Sequence, residues 1–165
     1  MRILLSNDDG VFAPGLAVLE EIARSITDDV WIVAPHEEQS GQARAITLNA
    51  PVRVREETER RYAVTGTPSD AVLLGVKDIL RDNPPDLILS GVNRGQNIAD
   101  DVTYSGTIAA AMEGTSLGIK SIAFSQVTGL HGNGESFAVA EAHGVSIVKK
   151  LLDFSFGPGT LINVN

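Results

Sequence analysis

Short apolar runs with almost no polar alternation recur along this chain, at Ile3 to Ser6, Val30 to Ala34, Leu87 to Ser90, Ser121 to Ser125 and Leu161 to Val164, and helical-period stretches separate them. A strand with one wet face alternates apolar and polar residues, whereas a strand covered by helices on both faces does not have to. The pattern predicts an α/β domain built on a mainly parallel sheet. The first helix is expected to begin near Pro14 and to lay Leu16, Leu19, Ile22, Ala23 and Ile26 over that sheet, the spacing of an amphipathic helix. Thr67-Pro68-Ser69-Asp70 opens another helix, with Thr67 as N-cap, Pro68 at the first helical position and Asp70 closing a capping box, which gives Asp70 a structural role. That helix carries Val72, Leu73, Val76 and Leu80 and stops at Asn83-Pro84-Pro85.

Between residues 36 and 64 the period changes. A polar loop gives way to Ala45-Ile46-Thr47-Leu48, Val52-Arg53-Val54 and Tyr62-Ala63-Val64, which read as short antiparallel strands, so a small antiparallel insertion at the rim of the sheet is expected there. With 165 residues the chain is sized for a single domain, residues 1–165. A hydrophobic fraction of 43%, a charged fraction of 21% and a mean hydropathy of +0.07 describe a folded chain rather than a disordered one. The absence of cysteine excludes disulfides and thiolate metal sites and agrees with a reducing compartment. No apolar run is long enough to cross a bilayer, and the first strand turns polar by residue 7, too soon for a signal peptide, so the expected location is cytoplasmic. A net charge of −8 argues against long nucleic acid as a partner, because such binding relies on basic patches. A small phosphorylated substrate is compatible with that charge, since a bound divalent cation reverses the local field.

In an open parallel sheet the C-terminal ends of the strands face one edge, and ligands bind in the crevice there. The first strand runs directly into Asn7-Asp8-Asp9-Gly10. Two neighbouring carboxylates repel each other unless a cation or a proton intervenes, and an oxygen-only set without Cys or His favours a hard ion such as Mg²⁺ or Mn²⁺. Gly10 lets the turn take a positive φ. Taken alone, this tetrapeptide is equally ordinary turn chemistry. A second strand-end loop, Ser90-Gly91-Val92-Asn93-Arg94-Gly95-Gln96-Asn97, emerges on the same edge, and Asn93 can lend a cation a neutral oxygen. The third, Ala34-Pro35-His36-Glu37-Glu38-Gln39-Ser40-Gly41, offers the Ser40 hydroxyl; His36 reads as a solvated loop residue. Tyr104-Ser105-Gly106-Thr107 precedes a helix of small residues, where free amides and hydroxyls make either an anion site or a simple Ser/Thr cap. Neither a P-loop nor a strand-linked Gly-x-Gly-x-x-Gly is present, so ordinary NTP and dinucleotide binding are not indicated. Phe12, Tyr62 and Phe124 read as core or rim packing, and His131 and His143 receive no role.

Ser6-Asn7-Asp8-Asp9-Gly10 with Ala13-Pro14-Gly15, Ala34-Pro35 with Gln39-Ser40-Gly41, Gly66-Thr67-Pro68-Ser69-Asp70, Ser90-Gly91-Val92-Asn93-Arg94-Gly95 and Tyr104-Ser105-Gly106-Thr107 together resemble the SurE survival-protein nucleotidases, in the same order and over nearly the whole chain. The resemblance implies a Rossmann-like three-layer sandwich and a divalent-metal phosphatase acting on nucleoside 5′- and 3′-monophosphates, with polyphosphate as a further substrate. It implies one divalent metal ion per subunit, Mg²⁺ or Mn²⁺, held by Asp8, Asp9, Ser40 and Asn93. Asn97, Ser105, Gly106 and Thr107 match the family's phosphate-binding positions, and a homodimer or homotetramer is implied. Two departures stand out. Residue 12 is Phe where relatives often carry His or Tyr, and the family continues past the strand matched by Leu161 to Asn165 with a C-terminal segment that this chain is expected to lack.

The chemistry expected of such a site is hydrolysis by metal-activated water, with Asp8 or Asp9 receiving the water's proton. Covalent attack by an aspartate ranks lower, because aspartyl-phosphate enzymes separate their two aspartates by one residue and here they are adjacent. A nucleotide-binding module without turnover is the reading outside catalysis.

Overall fold

Strand β1 (Ile3–Ser6) lies at the middle of the sheet, hydrogen-bonded on one side to β2 (Val30–Pro35) and on the other to β5 (Leu87–Arg94), both parallel to it. The computed structural model describes residues 1–127, 136–155 and 157–165. His131 lies outside them. The sheet is completed by a hairpin of β3 (Val54–Thr58) and β4 (Arg61–Val64) on the β2 side and by β6 (Lys120–Gln126) and β7 (Ile162–Val164) on the β5 side. Among the described residues the sheet has seven strands in the order β3-β4-β2-β1-β5-β6-β7, and every pairing is parallel except β3 with β4.

Alternate residues of the central strands serve two cores. Ile3, Leu5, Ile32, Leu87, Leu89, Ile122 and Phe124 face helix α1 (Pro14–Arg24), which contributes Leu16, Leu19, Ile22 and Ala23, and helix α5 (Ala138–Leu152), which contributes Val148. Leu4, Val33, Val64 and Ile88 face the opposite layer, where helix α2 (Pro68–Leu74) supplies Ala71 and Val72 and helix α4 (Gly106–Ser116) supplies Ala110. This double burial is why the strands carry no polar alternation. Truncating a core leucine such as Leu5 to alanine would cost about 2–5 kcal/mol.

The predicted capping box is present. Asp70 N–H donates to Thr67 Oγ1 at 3.1 Å, and Thr67 N–H donates to Asp70 Oδ2 at 3.0 Å. After Leu74 the helix widens into a π-helical turn, Gly75–Ile79. A wider turn suits Val72, Val76 and Leu80, each four residues from the next and all buried in the same core. A short helix α3 (Asp101–Tyr104) precedes α4. None of the described helices is long and apolar enough to cross a membrane.

The antiparallel part is narrower than the sequence suggests. Only β3 and β4 form a hairpin, and β4 joins β2 in parallel, so the hairpin extends the main sheet. Residues 45–48 form no strand because the amino end of α2 takes up their polar groups. Thr47 donates its N–H and hydroxyl to Asp70, and Thr67 Oγ1 donates to the Ala45 carbonyl at 2.7 Å. Residues 36–53 therefore leave β2 and rejoin the sheet at β3 along one edge, the C-terminal edge of the parallel strands.

At the opposite edge Asp29 gathers Arg2 Nε at 2.9 Å, Trp31 Nε1 at 2.9 Å and Arg60 Nη1 at 3.5 Å. Both guanidinium groups lie 5.5 Å from the Trp31 ring centre, and Tyr62 stacks on the same indole. Burial raises the Asp29 carboxyl, but the hydrogen bonds from Trp31 and Arg2 and the charges of Arg2 and Arg60 outweigh it and hold the group below its ordinary value.

Candidate functional site

Strand order reverses between β1 and β5, and at such a switch point the loops leaving the two strands part and open a crevice. The loop after β1 is shaped by Asn7, which donates Nδ2–H to the Gly10 carbonyl at 2.9 Å and accepts the Gly10 N–H on Oδ1 at 3.2 Å. Closing this turn requires Gly10 at φ +110°, a conformation a side chain would strain. The two aspartates then diverge: Asp8 is buried, whereas Asp9 reaches a cavity. The loop after β2 is tied to this turn through Gln39 N–H, which donates to the Asp8 carbonyl at 2.7 Å.

The cavity has a volume of about 290 Å³ and is lined by Asp9, Ala13, Pro14, Gly15, Glu38, Ser40, Asn93, Arg94 and Phe137. Three of the four expected metal-binding residues, Asp9, Ser40 and Asn93, thus come from three separate loops to one space. Ser40 Oγ donates to Glu38 Oε1 at 2.8 Å. Asn93 directs its amide nitrogen to the carbonyls of Arg94 and Gly95, so its oxygen is the atom a cation would take. The fourth residue, Asp8, stands behind the cavity wall. Its Oδ1 accepts the Thr107 hydroxyl at 2.5 Å. Burial pushes the Asp8 carboxyl above its ordinary value, against hydrogen bonds from the Thr107 hydroxyl and from the backbone amides of Asp8, Thr107 and Gly106. Among the described residues no ion pair involves Asp8.

The residues expected to bind phosphate are placed differently. Asn97 donates Nδ2–H to Ser125 Oγ at 2.9 Å and pairs its backbone with Asn163 and Asn165, which ties it to the ends of β6 and β7. Ser105 caps α4, accepting the Ile108 N–H at 3.1 Å. Gly106 and Thr107 abut Asp8, and none of the four lines the cavity. Sequence reasoning left out Glu38, Arg94 and Phe137. The first two lie within two residues of Ser40 and Asn93 and were within reach of the motifs; Phe137 arrives from the start of α5, and nothing in its local pattern announces it.

An oxygen-only set lining the cavity, with a buried carboxyl beside it that has no ion pair among the described residues, has the chemistry of a hard divalent-cation site. Among the described residues no three His, Cys, Asp or Glu side chains gather to hold a metal, so the candidate set draws on the neutral Ser40 and Asn93. In the comparison with known proteins, residues 3–165 match the family described as Survival protein SurE. The chain belongs to the SurE family. Among its SurE relatives, the protein named 5′-nucleotidase SurE from Methylobacterium radiotolerans is 61% identical over 166 residues, covering 100% of this chain and 65% of that protein. The 5′-nucleotidase SurE of Methylorubrum populi is 57% identical with the same coverage. The crystal structure of the SurE protein from Aquifex aeolicus superposes with a TM-score of 0.89 at 41% identity, over 99% of this chain and 64% of that one. The chain spans just under two thirds of the length of the SurE relatives it matches.

Proposed function

We propose that this chain carries the active site of a divalent-metal-dependent 5′-nucleotidase, a phosphatase that hydrolyses nucleoside 5′- and 3′-monophosphates, with polyphosphate as a further substrate. The observation that carries the reading is the convergence of Asp9, Ser40 and Asn93 on one cavity at the strand-order reversal, with Asp8 directly behind. Relatives at 57–61% identity bearing the name 5′-nucleotidase support the same assignment.

Asp8, Asp9, Ser40 and Asn93 would hold Mg²⁺ or Mn²⁺. When bound, such an ion supplies a Lewis acid for a phosphoryl oxygen and lowers the pKa of a coordinated water. The rest falls to the chain's own groups. Arg94 is the basic side chain of the cavity lining and would balance the charge of a phosphate monoester entering there. Asp9, which lines the cavity, or Asp8 behind it would receive the proton of an attacking water. Phe137 with Ala13 and Pro14 forms an apolar wall that limits water beside the reacting group.

Phosphate release from a panel of nucleoside monophosphates, with Mn²⁺ and with EDTA, tests this. Release is expected with Mn²⁺, lost with EDTA and lost in Asp9→Asn. Undiminished release from Asp9→Asn, or release indifferent to EDTA, would overturn the assignment.

A further inference from the structure

We propose that Glu38 is a positioning residue for Ser40: by accepting the serine's proton it turns the lone pairs of Oγ toward the cavity, where a cation would take them. The proposal deepens the proposed function and rests on its reading of Ser40 as a cation ligand.

A serine hydroxyl carries a proton and lone pairs on the same atom, and the proton rotates to suit its surroundings. To serve a cation, the hydroxyl must aim that proton elsewhere, because a proton facing the ion repels it and takes the direction a lone pair should have. An exposed hydroxyl has no fixed direction unless a partner supplies one. Ser40 is exposed and has such a partner, since its Oγ donates to Glu38 Oε1 at 2.8 Å. A carboxylate only accepts, so the sense of this bond is set: the proton points at Glu38. Both residues line the same cavity as Asp9 and Asn93.

The backbone holds the pair in register with the aspartates. Gln39, the residue between them, donates its N–H to the Asp8 carbonyl at 2.7 Å and accepts the Gln42 N–H at 3.3 Å. Gly41 follows at φ +76°, so the chain turns directly after Ser40. Asn93 repeats the device on a second loop: its Nδ2 donates to the Arg94 and Gly95 carbonyls, and its oxygen is the remaining acceptor. Each of the two neutral ligands thus has its hydrogens engaged by a near neighbour in sequence. Among the described residues no three His, Cys, Asp or Glu side chains gather to hold a metal, which sets Glu38 apart from Asp8 and Asp9 and leaves it to act through Ser40.

The test is a double-mutant cycle read by Mn²⁺ titration calorimetry on the full chain, with Glu38→Ala, Ser40→Ala, the two combined, and Glu38→Gln as the conservative variant. Glu38→Ala is expected to weaken Mn²⁺ binding about 10-fold, the lower end of the range for a ligand's outer partner. In the Ser40→Ala background the same change should shift affinity by less than about twofold, because the residue it acts through is gone. Glu38→Gln keeps an oxygen that accepts the hydroxyl proton and should stay within about threefold of the unaltered chain. Both side chains are exposed, so the metal-free variants should melt with the unaltered chain. Unchanged affinity in Glu38→Ala overturns the proposal. So does an equal loss in both backgrounds, or Glu38→Gln binding as weakly as Glu38→Ala, since either result would mean that the carboxylate acts on the ion by itself. Ser40→Ala binding Mn²⁺ as tightly as the unaltered chain would instead sink the reading of Ser40 as a ligand, and the role of Glu38 with it.

Discussion

Asp29 and Asp8 stand at opposite edges of the same parallel sheet, and the protein treats their charges in opposite ways. Asp29 receives two guanidinium groups and an indole N–H, and its carboxyl is held below the ordinary range. Asp8 is far more deeply buried, receives hydroxyl and amide donors among the described residues, and is pushed above that range. One carboxylate is neutralised by fixed cations of the chain; the other is gripped in place with no cation paired to it among the described residues. Folding stability alone favours the first arrangement. The second suits the role proposed for Asp8 beside a bound cation, so the contrast sets a structural acid against a proposed functional one.

The largest expected effect breaks the pair apart by activity. Asp8→Asn should lower Mn²⁺-dependent release of phosphate by more than the roughly 10- to 100-fold typical of losing a ligand's outer partner. Asp29→Asn should leave turnover within about twofold and instead lower stability by roughly 0.5–1 kcal/mol, the scale of partly exposed ion pairs, read from denaturant midpoints. A loss of turnover in both would erase the distinction.

Gly106→Ala attacks the grip on Asp8 from the helix side. The new methyl cannot coexist with the Asp8 side chain where it stands, so a destabilisation of about 1–3 kcal/mol is expected, with a smaller rise in Tm on adding Mn²⁺. A variant that melts like the unaltered chain, with and without metal, would show that the close approach has no consequence.

The pH dependence of the metal-free protein sharpens the contrast further. Asp8, raised on folding, binds its proton more tightly in the native state, so its contribution falls as pH climbs from the unfolded carboxyl value of about 3.9 through the higher folded one. Asp29, lowered on folding, contributes fully above about 3.9 and loses that contribution as pH drops through its folded value. Urea midpoints measured across the acid range in EDTA should therefore show Asp8→Asn flattening the decline on the upper side and Asp29→Asn flattening it on the lower. Slopes unaffected by either substitution would contradict both assignments.

The smallest effect concerns Trp31→Phe, which keeps a ring beneath Arg2 and Arg60 and removes the Nε1–H donated to Asp29. A cost of about 0.5–1.5 kcal/mol is expected, without change in turnover; no cost at all would mean that the indole N–H adds nothing to the acid's environment.

Much of this contrast lies beyond what a sequence can display. The strands β1, β2, β5, β6 and β7, the packing face of α1 and the Thr67–Asp70 box were legible because periodicity and capping are local properties of the chain. The parallel docking of β4 on β2 was not, since nothing within Arg61–Val64 encodes which edge it joins. Residues 45–48 looked like a strand by composition, yet their polar groups are satisfied by side chains of a distant helix. The metal-binding expectation at Asp9, Ser40 and Asn93 rested on strand ends sharing an edge, and the cavity there brings the three together. Thr107 marks the limit: a hydroxyl at a helix start can cap, bind phosphate or donate to a carboxylate, and its bond to Asp8 joins residues that no local pattern relates.

The stretch from residue 36 to 53 leaves the sheet and returns to it on the same side, fastened midway where Thr47 meets Asp70 and Arg44 meets Glu113. Lengthening or shortening such an excursion shifts no strand against its neighbour. The segments on either side of those fastenings can change in length without moving a strand, and any such change alters how high the chain stands beside the cavity that Glu38 and Ser40 line.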